Sequence, residues 1–157
     1  MPTRGFSMIE MLMVIAVIAI LALIALPTFL DRNVRLQVQE AMALAKLPKE
    51  RVAAFYARKK EMPDNNEDAD APAKEKIVST LVTGVSIDGG AVTITFGNSV
   101  NSAIAGKRLT WRPVFVADTP TSWDWLCNNQ PVPPGMTAMG VNRTDIPAKW
   151  LPMECRN

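Results

Sequence analysis

Apolar residues are unevenly distributed along the chain, and their spacing changes character three times. From Met11 to Leu30 no residue is ionisable, a run of 20 positions. At a rise of about 1.5 Å per residue, a helix of that length spans roughly 30 Å, the thickness of a bilayer core. Past Asp31 the pattern becomes amphipathic. Val34, Val38, Ala41, Ala45, Val52 and either Phe55 or Tyr56 recur at helical spacing, and Arg32, Arg35, Glu40, Lys46, Lys49, Glu50 and Arg51 fill the gaps. The spacing predicts one long helix over 6–62, with 6–30 as its membrane-spanning part. Lys59 and Lys60 suit a helix C-terminus, and Pro63 stops the helix. Pro27 and Pro48 each remove a backbone donor, so a bend is expected at each.

The stretch Glu61–Lys74, EMPDNNEDADAPAK, carries acids and no large aliphatic residue beyond Met62, and reads as an exposed connecting loop. Strand signals follow. IVSTLVTGVSI (77–87) is β-branched and ends at Asp88-Gly89-Gly90, after which AVTITF (91–96) alternates, so Gly89 and Gly90 predict a hairpin turn. LTWRPVFVA (109–117) is a third strand, with Pro113 pointing to an edge or a bulge. Trp123-Asp124-Trp125-Leu126 is a fourth, leading into Cys127. The remainder, 128–155, is proline-rich and is expected to hold little regular structure. The fold class is α+β: a long N-terminal helix packed on an antiparallel sheet of about four strands.

Composition narrows the chemistry. Among 157 residues there is no histidine, and the net charge is only +2. The commonest general base and metal ligand is therefore missing, and the charge alone gives no argument for nucleic acid. The acidic loop lacks the fixed Gly and terminal Glu of an EF-hand, so no metal site is expected there. Cys127 and Cys155 stand behind a membrane segment. That context argues for an extracytoplasmic disulfide, because two ligands alone do not make a metal site. Without a nucleophile elbow or phosphate-binding loop, a membrane-tethered enzyme has no residues to carry it, and neither catalytic residues nor a cofactor are expected.

The stretch RGFSMIE, Arg4–Glu10, sets a carboxylate at the mouth of the apolar run. A charge at a membrane edge suggests a function and a partner. The order of elements is wrong for a secretory signal: Gly5 precedes the apolar run, and no small-residue cleavage pattern closes it. Arg4 on one side is matched by Arg32 and Arg35 on the other, so charge bias does not set the orientation. Gly5, Phe6, Ser7, Met8, Ile9 and Glu10 resemble the Gly-Phe-Thr-Leu-Ile-Glu leader junction of type IV pilins and pseudopilins. The likeness continues to Ala25-Leu26-Pro27, the family's Ala-Leu-Pro. The resemblance implies that residues 1–5 are a leader, removed between Gly5 and Phe6 by a prepilin peptidase that then methylates the Phe6 amine. It implies that Glu10 neutralises that amine on a neighbouring subunit, and that the helix anchors the precursor in the bacterial inner membrane before forming the core of a fibre. It places 63–157 outside the cell as the globular domain, with the cysteine-closed loop as the family's D-region. The implied partners are copies of the chain itself, the peptidase, and an assembly machine of platform protein, ATPase and secretin.

The expected function is that of a structural subunit of a type IV pilus, serving adhesion, twitching motility or DNA uptake. Within the family, a type II secretion pseudopilin and a DNA-receiving minor pilin are the alternatives. DNA binding needs a clustered basic face, for which Lys107, Arg108, Arg112, Arg143, Lys149 and Arg156 are the candidates. Whether they cluster is not legible in the sequence, nor is the placement of Trp111, Trp123, Trp125 and Trp150. Asn142-Arg143-Thr144 fits the glycosylation acceptor pattern, which is read as chance behind a bacterial-type leader.

Overall fold

The computed structural model describes residues 5–116 and 119–156, and the side chains of all of these except 25–28 and 119–122. Residues 1–4 of the expected leader and the Pro27 side chain lie outside the described residues, as does Ala117 at the end of the third strand candidate. The backbone at Pro27 is helical. The chain divides into two units, 1–33 and 34–157.

The first unit is helical from Met8 onward, within helix α1 (Met8–Met42). Its described apolar side chains stand exposed, and this helix is long and apolar enough to cross a membrane. An apolar surface exposed along this many described residues calls for lipid or for other helices in place of a core.

In the second unit the helical stripe is buried as its spacing requires: Val34, Val38, Ala41, Ala45, Val52 and Phe55 all lie in the core. The helix changes at Ala43–Ala45, a 3-10 turn that leads into α2 (Lys46–Lys59). Pro48 explains this change. It has no N–H for the carbonyl of Leu44, and its ring crowds that carbonyl, so the turn ahead of it tightens to the 3-10 pattern. The helix ends at Lys59, short of the predicted 62. Lys60 adopts the left-handed conformation, and its N–H closes on Tyr56 O.

The sheet has the order β1-β2-β3-β4, all antiparallel, with β5 paired to β3, among the described residues. Its strands are β1 (Val82–Asp88), β2 (Ala91–Phe96), β3 (Arg108–Val116), β4 (Thr119–Cys127) and β5 (Met136–Ala138). Gly89 and Gly90 both have positive φ, as a two-residue hairpin loop of the primed type requires. The first strand is shorter than predicted. Ile77 and Leu81 are buried, but Asn98 takes the carbonyls of Ser79 and Val82, which draws this segment into a loop. The fifth strand lies in the segment read from sequence as irregular.

Pro113 is neither on an edge strand nor at a bulge. It sits in the central strand, where it meets no conflict because β3 changes partners there. On one side β3 pairs with β2 through Trp111 and with β5 from Val114 onward. Pro113 O accepts from Met139 N, so its nitrogen faces that same side, at the gap between two neighbours. On the other side β3 pairs with β4 from Trp111 onward, and below that point with the returning chain: Asn128 N donates to Thr110 O, and Ile146 N to Arg108 O.

Candidate functional site

The N-terminal site is built by the first turn of α1. Ser7 N–H donates to Glu10 Oε2 at 2.8 Å, and Ile9 N–H to Ser7 Oγ at 3.4 Å. Glu10 thus takes the Ser7 N–H as in an S-x-x-E capping box, while Ser7 Oγ takes the N–H of Ile9, so two orphan donors of the helix start are satisfied. The Glu10 carboxylate also faces the positive end of the helix dipole. Phe6, Glu10, Met13, Val14, Val17 and Ile18 line one face of the helix around a groove of about 370 Å³. Glu10 is the ionisable residue on that apolar face. A Cβ built on Gly5 meets nothing within 4 Å, so the Gly5–Phe6 peptide lies in an open, non-helical approach to the helix.

The second surface is the loop between the cysteines. Cys127 and Cys155 form a disulfide at a sequence separation of 28. The loop grips both sides of β3. Thr110 N donates to Thr144 Oγ1, and Arg143 N to Thr110 Oγ1, while Thr110 and Thr93 pair their buried hydroxyls at 2.9 Å. Gly140 crosses the β1–β2 turn with φ +75, where a Cβ would lie 2.8 Å from Asp88 O. Asn142 uses its side-chain nitrogen on Asn128 O and Asn129 Oδ1, so the acceptor-pattern asparagine is a structural tie within the loop.

Four of the six basic candidates are drawn into this construction. The Arg108 guanidinium and backbone N–H both bind Asp145. Arg143 pairs with Asp88 at 2.6 Å, and Arg156 donates to Leu151 O and Lys149 O. Lys149 lies over the Trp150 ring. Their charges are thus committed to folding the loop, which weakens the case for a DNA-binding face.

The tryptophans also separate. Trp111 is core, and Trp150 packs against the core from its margin. Trp123 and Trp125 join Tyr56 and Phe115 in a chain of ring contacts, with centroids 4.9 Å apart for Tyr56–Phe115, 5.8 Å for Phe115–Trp123 and 5.3 Å for Trp123–Trp125. Lys49 reaches from α2 to within 4.6 Å of the Trp111 ring centre and 5.4 Å of Trp125. Burial pushes the Lys49 ammonium below the ordinary lysine value, partly opposed by Glu154 and Asp124.

The acidic stretch is not a simply solvated loop. Pro63, Asn66 and Ala69 are buried at every third position. Asn66 Nδ2 donates to Pro72 O and Val85 O, and its Oδ1 accepts from Ile87 N at 2.7 Å. Asp70 meets Arg58 at 2.9 Å, and this hydrogen bond holds its carboxyl below the usual range. Nothing in local composition singles out Asn66, because its partners lie about twenty residues away on β1.

Comparison with known proteins matches both parts of the chain. The model of a prokaryotic N-terminal methylation motif matches residues 1–26, and that of pilin, a bacterial filament, matches residues 34–156. The chain belongs to the pilin family. A fimbrial protein of Neisseria meningitidis serogroup A is 35% identical to it, over 98% of this chain and 94% of that protein. The type IV major pilin protein PilE1 of Neisseria gonorrhoeae is 37% identical, over 98% of this chain and 87% of the relative. The fimbrial protein EcpC of Eikenella corrodens is 32% identical, over 98% and 91%. This pilin is a structural protein that assembles with copies of itself into a pilus on the cell surface.

Proposed function

We propose that this pilin is made as an inner-membrane precursor and cut between Gly5 and Phe6 by a prepilin peptidase, with Phe6 then N-methylated. It is next drawn into a fibre by a platform protein and ATPase and passes outward through a secretin. Glu10 is the residue that makes assembly specific. The observation that carries this reading is the carboxylate alone on an apolar helix face, four residues from the amine that cleavage would free. The capping atoms all lie beyond the scissile bond, so removal of residues 1–5 leaves the helix start intact. The open space at Gly5 means that any demand for glycine there comes from the peptidase and not from this chain.

In the membrane, the carboxylate rests on the Ser7 N–H near the headgroups. In a dry bundle of helices, the freed amine of Phe6 on one subunit needs a counter-charge, and Glu10 of a neighbour supplies it. The pairing also fixes axial register, which a uniform apolar surface does not. Glu10→Gln keeps the size and the cap acceptor but removes the charge. Breaking such a pair costs on the order of 3–5 kcal/mol. The expected result is precursor cut normally, shown by a mature mass that begins at methylated Phe6, and few sheared fibres under electron microscopy. Ordinary fibre yield from Glu10→Gln would overturn the pairing.

A further inference from the structure

We propose that the outer edge of β1 is a latent strand-pairing surface for a second copy of this chain, and that the Asn66 carboxamide is the plug that keeps it shut. Among the described residues β1 ends the sheet, and its outer side is met by a loop instead of a strand: Lys74 packs against Gly84, Gly89 N donates to Asp64 O and Gly90 N to Pro63 O, with Asn66 between them. The outward groups of β1 include Val85 O and Ile87 N. Asn66 takes both, donating from Nδ2 at 3.0 Å and accepting at Oδ1 at 2.7 Å. A C=O and an N–H two residues apart are what a single residue of a neighbouring parallel strand would engage. A primary amide carries the same donor and acceptor as a peptide unit, so one side chain imitates one residue of a missing strand. The plug is buried and anchored, because its Nδ2 also holds Pro72 O at 2.8 Å. The far margin of the sheet is treated in the same way. On β4, Asp124 Oδ1 accepts from Trp125 N and Gln130 Oε1 from Cys127 N.

Open edges pair with other edges. The occupant is a second copy because of the filament, and in this respect the proposal rests on the assembly reading. Helices bundled in a fibre hold identical domains side by side at high effective concentration, where an open β1 would meet its own kind. Closure by side chains leaves the helix to direct assembly.

The test uses the full chain in detergent, with micelles in excess so that each holds one chain. In the native protein, hydrogen exchange at Ile87 N–H should be as slow as at Ser86, whose groups face β2. Fast exchange at Ile87 would overturn the proposal even if no variant folded. Asn66→Ala should raise concentration-dependent dimer formation about tenfold or more in sedimentation, with native circular dichroism. Adding Ser86→Lys to Asn66→Ala should return association to the native level, because a lysine on an edge strand opposes pairing without restoring the lost bonds. A monodisperse, folded Asn66→Ala, or association that Ser86→Lys leaves unchanged, would refute the plug. These readouts are taken on detergent-solubilised chains outside any fibre and so are independent of the fibre yield that tests Glu10.

Discussion

Replacing both Cys127 and Cys155 with alanine isolates what the disulfide contributes. The two cysteines are 28 residues apart. In the chain-entropy treatment, a closure of this length contributes about 3.5 kcal/mol at 25 °C. The remaining ties of the loop do not replace it. The pairs Arg143–Asp88 and Arg108–Asp145 are 36–47% exposed, and pairs in that setting are worth roughly 0–1 kcal/mol each. β5 adds only three residues of pairing to β3. Against a typical domain stability of about 5–15 kcal/mol, the variant should fold but be marginal. The assay is urea unfolding of the full chain in detergent, followed by tryptophan fluorescence, which reports the second unit because Trp111, Trp123, Trp125 and Trp150 all lie there. With a slope of about 1.5–2 kcal/mol per molar, the midpoint should fall by about 2 M. Amide exchange in native buffer should quicken first across residues 128–146. A midpoint shift below about 0.5 M would show that the loop is held chiefly by its contacts with β3. Quickening first in the β1–β2 hairpin would show that the bridge steadies a different part of the sheet.

Two further outcomes follow from packing and burial. Gly140→Ala should destabilise the second unit by about 2–4 kcal/mol, since it places a side chain at positive φ against the Asp88 carbonyl; thermal unfolding indistinguishable from native would contradict the close crossing. Burial lowers the Lys49 pKa, so the unfolded chain binds the proton more tightly, and stability should rise as pH climbs from the lowered value towards the ordinary lysine value. Lys49→Met should flatten that alkaline rise, and an unchanged slope of stability against pH would assign it to another group.

The features legible in the sequence are those set by neighbours along the chain. The N-terminal methylation motif around Gly5 and Glu10 is contiguous. The helical stripe from Val34 to Phe55 follows from a period of 3.6, and the Asp88-Gly89-Gly90 turn from glycine's access to positive φ. The cysteine pairing could be read because only two are present. The rest was decided by groups that meet only once the topology exists. Asn66 looks like any loop asparagine until β1 presents Val85 O and Ile87 N to it. Pro113 reads as an edge residue because local rules do not show that β3 changes neighbours beside it. Arg108 and Arg143 are candidate phosphate ligands in the sequence, yet Asp145 and Asp88 reach them from 37 and 55 residues away. Periodicity encodes which face of an element is apolar. It carries no record of which distant donor meets which acceptor, and that is settled by the order of the strands and by the path of the disulfide-closed loop across them.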